Sequence, residues 1–214
     1  MSECCRVLPD VSTRQRRALR IVLGVNLAMF LLEAGAGLYA DSTALLADSA
    51  DMLGDALVYG VSLYAVGRGA DWRARAATFK GWLMATFAAA VLVQAALTIA
   101  RGALPQAPVM GAVGFMALGA NVVCLILLGR RRADDVNMRS AWLCSRNDVV
   151  ANVGVLAAAG AVALTGSGWP DVLVGLAIAA LFGGSAARVL RDARRVREAA
   201  GATEWVSGGS RSAE

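Results

Sequence analysis

Apolar residues in this 214-residue chain gather into six long runs parted by short polar stretches. Each run reaches the roughly 20 residues that a helix needs to cross a hydrocarbon core. The pattern predicts membrane helices over roughly 19–40, 44–67, 82–100, 109–129, 140–164 and 169–187. Hydrophobic residues make up 57% of the chain, more than an ordinary soluble domain carries, and little sequence is left for a soluble one. The expected fold is an all-α membrane protein of six transmembrane helices. Its divisions are a tail over 1–18, a helical domain over 19–190, and a short basic and then disordered tail over 191–214.

Positive charge fixes the expected orientation, because cytoplasmic loops collect Lys and Arg. Arg14, Arg16, Arg17 and Arg20 precede the first run, and Arg68, Arg73, Arg75 and Lys80 follow the second. Arg130, Arg131, Arg132 and Arg139 part the fourth from the fifth, and a further cluster from Arg188 onward follows the sixth. The segments around Asp41 and Gly166 carry none, and the loop before Pro105 has only Arg101. Both termini are therefore expected in the cytoplasm. The net charge of +5 is spread over four short segments, which suits topology near anionic headgroups and not nucleic acid. The first run is too long for the core of a cleaved signal and should remain as a helix.

The runs divide into three helices, a loop with Pro105 and Pro108, and three more helices, so the second half would lie inverted relative to the first. The middle run of each half carries the costliest residues: Asp51 and Asp55 in D-M-L-G-D, Cys144 and Asp148 in C-S-R-N-D. Residues four apart share a helix face, and Asp48 joins Asp51 and Asp55 from one turn earlier. Ionised carboxylates are expensive in hydrocarbon, so such pairs are expected to face each other around a cation. Antiparallel packing would place both pairs near the membrane midplane, Asp55 nearest Cys144 and Asp51 nearest Asp148.

The chain has no histidine, so a metal site must draw on Asp, Glu, Cys, Asn or backbone oxygen. A thiolate among carboxylates suits zinc, cadmium or cobalt better than magnesium or calcium. Cys144 alone also fits a buried small hydrophobe, and Asp48 a structural hydrogen-bonder near the outer surface. Arg146, two positions from both Cys144 and Asp148, is expected on nearly the opposite face, either snorkelling to the interface or pairing with a carboxylate such as Glu33. Asn26, Asn121, Asn147 and Asn152 are further polar groups within the runs, with Asn147 and Asn152 expected along the pathway. Cys4 and Cys5 offer a weak soft-metal pair, and the four cysteines are not expected to form a disulfide framework.

The stretch from Asn26 through Glu33 and Gly37 to A-D-S-T-A-L-L-A-D-S-A-D-M-L-G-D-A-L, with N-M-R-S-A-W-L-C-S-R-N-D-V-V-A-N-V-G-V-L, resembles the cation diffusion facilitator family of metal transporters. The resemblance implies a cation-efflux bundle whose transported divalent ion binds at Asp51, Asp55, Cys144 and Asp148, with Asp48 as an accessory acidic position. It also implies efflux in exchange for protons and a homodimer; the preference for Arg over Lys and the high Ala content point to a bacterial chain, hence a cytoplasmic membrane, and no permanently bound cofactor is expected. Familiar zinc exporters of the family have His where this chain has Asp51 and Cys144. Many members also carry a cytoplasmic metal-binding domain after the sixth helix, and this chain resembles a short form without it. The expectation is a transporter and not an enzyme. Two rival readings are a proton-coupled carrier of organic cations and a membrane metal sensor that moves nothing.

Overall fold

The computed structural model describes residues 13–64, 70–130 and 136–209. Six helices fill them: α1 (Thr13–Tyr39), α2 (Thr43–Tyr64), α3 (Ala70–Arg101), α4 (Ala107–Gly129), α5 (Val136–Thr165) and α6 (Trp169–Gly209). No strand occurs among the described residues. Five helices are long and apolar enough to cross a membrane. The remaining one is α2, in which Asp48, Asp51 and Asp55 interrupt the apolar run. Large apolar side chains face outward around the bundle, including Phe115 at 71% exposure and Leu38 at 66%, which suits lipid and not water.

Two boundaries differ from the expected ones. Helix α3 begins at Ala70, so Arg75 and Lys80 are helical residues and not loop charges. Helix α6 continues as helix through 191–209, over ground expected to be a basic and then disordered tail. The Arg, Ala and Glu residues up to Ala200 favour helix and carry the chain past the apolar stretch. Cys4, Cys5 and most of the 1–18 tail lie outside the described residues, as do 65–69, 131–135 and 210–214.

Three turns meet at one end of the bundle. The Gln106 amide donates to the Ala40 carbonyl at 3.0 Å, and its side chain to the Tyr39 carbonyl at 3.0 Å. Gly168 lies against the Ala103 carbonyl. Asp41 at φ 53°, Gly102 at φ 58° and Gly166 at φ 62° let the chain reverse there in the left-handed region. The α1–α2, α3–α4 and α5–α6 connections therefore share this turn end. The start of α1 and the finish of α6 lie at the opposite, terminal end, with the described arginines of α1 and α6 and with Arg130.

Helices α1 with α2, α3 with α6, and α4 with α5 form the main packed pairs, and α2 also touches α3, α5 and α6. Gly175 makes the α2–α6 crossing possible. A Cβ there would lie 2.7 Å from the Thr43 carbonyl carbon and 2.9 Å from the Ala44 nitrogen. Close backbone approach of this kind is how helices associate in lipid, where burying apolar surface supplies no drive.

The apolar packing falls into two main layers. Near the turn end, Ala44, Leu45, Ala47, Met110, Val113, Val155 and Ile178 pack together. Towards the terminal end, Leu19, Val22, Val58, Tyr59, Cys124, Leu128 and Ala141 do the same. In α1, α2, α4 and α5 most of the buried polar residues lie in the sequence between these layers, among them Asn26, Glu33, Asp48, Asp55, Asn121, Asp148 and Asn152. They share the middle of the bundle with smaller apolar clusters such as Met29, Met52 and Ala117.

Candidate metal centre

Helices α2 and α5 bring Asp51, Asp55, Cys144 and Asp148 onto one cavity of about 580 Å³, together with Lys80, Arg146 and Asn147. Both x-x-x-D pairs line this cavity, each from one face of its own helix. Asp55, Cys144 and Asp148 are buried at 8%, 3% and 2% exposure. Gly54, within the D-M-L-G-D segment, lets Phe182 of α6 lie against α2, since a Cβ there would come 2.7 Å from the ring.

Hydrogen bonds hold part of the set. The Tyr59 hydroxyl donates to Asp55 Oδ2 at 2.9 Å and lies 3.5 Å from the Ala141 carbonyl on α5. Asn152 donates from Nδ2 to the Asp148 carbonyl at 2.9 Å. Asp148 Oδ2 and Asn152 Oδ1 are buried with no hydrogen-bond partner. Asp148 has Asp55 as its strongest electrostatic neighbour, with Asp51 and Asp48 weaker.

Among the described residues no three of Cys, Asp and Glu are drawn together closely enough to hold a metal ion. The donors line the cavity wall and do not converge. Cys144 is disulfide-bonded, against the expectation for these cysteines, and a sulfur so engaged offers no thiolate. What the cavity does present is three carboxylates, those of Asp51, Asp55 and Asp148, beside the two cationic side chains of Lys80 and Arg146.

Asp48 is fully buried but does not line this cavity. It lies nearly two turns beyond Asp55, and neither of its carboxylate oxygens has a partner. Glu33 of α1 is equally buried and unpartnered, within electrostatic reach of Asp48 and then Asp51. Arg146 therefore makes no pair with Glu33. It lines the cavity, contrary to the expected opposite face, with its guanidinium carbon 5.7 Å from the centre of the Trp142 ring. A cavity this wide admits residues well around the helix from Asp148. Asn147 lines it as expected, whereas Asn152 is buried behind it.

Three residues escaped the sequence reading. Tyr59 extends the Asp51/Asp55 face by one more i, i+4 step, a signal that was present. Lys80 was assigned to a loop, yet it is buried at 5% exposure and faces the carboxylates. Asp171, in the first turn of α6, accepts from the Ser42 hydroxyl at 2.6 Å, the Thr43 amide at 2.7 Å and the Ala44 amide at 3.1 Å. Ser42 in turn accepts from the Leu45 amide at 3.1 Å, so α2 is capped twice over. This long-range clamp left no local pattern to find.

A helical bundle with outward-facing apolar sides and five helices long and apolar enough to cross a membrane defines an integral membrane protein, with a cavity lined by three carboxylates between its helices. Residues 19–196 match the family described as the cation efflux transmembrane domain, and the chain belongs to that family. It is 28% identical over 176 residues to the metal cation efflux system protein CzcD of Cupriavidus metallidurans, a match covering 75% of this chain and 56% of the relative. The cation efflux system protein CzcD of an Alcaligenes strain is similar to the same extent. The chain spans about half the length of the curated relatives it matches.

Proposed function

We propose that this protein exports a divalent metal ion, zinc or a similar ion such as cadmium or cobalt, from the cytoplasm in exchange for protons. The ion would be held by Asp51, Asp55, Asp148 and the reduced thiol of Cys144. The observation that carries this reading is the meeting of both i, i+4 pairs on one cavity between α2 and α5. The efflux names of the relatives agree with it.

Carboxylate and thiol groups must lose protons to coordinate and regain them when the ion leaves, so ion and protons compete for the same atoms. Carriage across the membrane follows if the chamber opens alternately to either side. The apolar layer of Ala44, Leu45 and Met110, with the Asp171 clamp above it, would be the barrier on the turn end. The arginine-rich terminal end suits the cytoplasmic face of a bacterial inner membrane. A homodimer would follow the family resemblance.

Zinc or cadmium uptake into inside-out vesicles tests the proposal. Asp55→Ala and Asp148→Ala are expected to abolish ion-dependent uptake, and transport at the unmutated rate would refute the assignment. Stoichiometric zinc binding separates this reading from an organic-cation carrier. Flux in liposomes separates it from a sensor.

A further inference from the structure

Lys80 occupies an unusual position for an ammonium group. It lies on α3 within the apolar span Arg75–Arg101, at 5% exposure, where an unneutralised charge is costly. It borders two cavities at once. One is the chamber of about 580 Å³ that holds Asp51, Asp55 and Asp148. The other is a cavity of about 720 Å³ lined mostly by apolar residues such as Leu27, Leu53, Leu57 and Phe79, with Arg75 also in its wall and no carboxylate.

The backbone beneath Lys80 is held in place. Gly81 packs so closely on α6 that a Cβ would come 2.7 Å from the Leu190 side chain. The four-carbon stem can turn between the two cavities while the helix stays put. In the acidic chamber the ammonium lies within electrostatic reach of both Asp51 and Asp55. The other cation of that chamber, Arg146, is an exposed residue with its guanidinium beside Trp142.

A dication entering the chamber would meet a positive charge already facing the carboxylates it needs. At the effective dielectric of protein sites, such a repulsion over several ångströms is worth well over a factor of ten in affinity if the ammonium stays. We propose that Lys80 is a tethered counter-cation of the ion-free chamber: it neutralises Asp51 and Asp55 when no metal is bound, is displaced by the arriving ion, and returns to help expel it. Lys80 then acts on affinity and release without ligating the ion. The proposal rests on the chamber being the metal site.

The test is zinc and cadmium binding to the full chain, reduced and purified in lipid nanodiscs, with chelator-driven release followed in time. Lys80→Gln is expected to tighten Kd by about tenfold or more and to slow release by a similar factor, whereas Lys80→Arg should stay within about threefold of the parent. A Lys80→Gln Kd within twofold of the parent, or weaker, overturns the proposal while leaving the metal site intact. A parent protein that binds neither ion overturns both. Should the variants fail to fold, acetylation of Lys80 in the unmutated chain gives the answer. A rate that changes severalfold on adding zinc supports displacement, and an unchanged rate overturns it.

Discussion

Tyr59 and Asp55, one helical turn apart on α2, share a hydrogen bond of 2.9 Å that holds one of the cavity's carboxylates. The hydroxyl fixes the carboxylate's orientation. Tyr59→Phe should therefore weaken zinc binding by about 1 kcal/mol, roughly fivefold. Calorimetric titration of the two proteins checks this. Tighter binding in the variant would mean that the hydroxyl competes with the ion for Oδ2.

The clamp at the turn end is a stability element. Asp171→Ala removes three hydrogen bonds to a carboxylate and uncaps α2, and should cost about 3 kcal/mol or more. Ser42→Ala leaves the two amide bonds and should cost about 1 kcal/mol. Unfolding in detergent, with both variants beside the parent, measures the ratio.

Glycines separate by what surrounds them. Gly175→Ala places a methyl against the Thr43 and Ala44 backbone, which cannot yield as a flexible side chain would, and should destabilise by about 1–3 kcal/mol. Gly111→Ala meets nothing within 4 Å and should change stability by less than about 0.5 kcal/mol. The same unfolding assay distinguishes them.

Binding of the ion should release protons and strengthen as pH rises, because protonated carboxylates and thiol cannot coordinate. Each proton displaced adds one logarithmic unit of affinity per pH unit. Zinc titrations at several pH values, with the released protons followed by an indicator dye, give the number directly. A flat pH profile would remove the basis for proton exchange.

Sulfur should decide the ranking of ions. On reduced protein, Cys144→Ser is expected to weaken cadmium more than zinc, and Cys144→His to move preference towards zinc. Competition between the two ions in vesicle uptake reads the ranking. An unchanged order would mean that Cys144 does not ligate.

Much of this was written locally in the chain. Six apolar runs gave six helices, and the i, i+4 pairs reached one cavity because that spacing leaves little choice of face. What stayed hidden depended on partners far away in sequence. Lys80 follows Arg73 and Arg75, so charge alone placed it in a loop, although the alanines around it support helix. Asp171 makes sense only beside Ser42, which lies 129 residues earlier. Asp48 shares the stripe of Asp55, yet it is fully buried outside the cavity, which the spacing within one helix could not reveal.

The clamp has a mechanical corollary. Since α2 is fastened to α6 through Asp171 and lies broadly against α1, the seam most able to slip is the lesser contact between α2 and α5. That seam is lined by the proposed ligands. The cargo would then be a rivet across the joint that has to slide, and an empty carrier and a loaded one should differ first in how stiff that joint is.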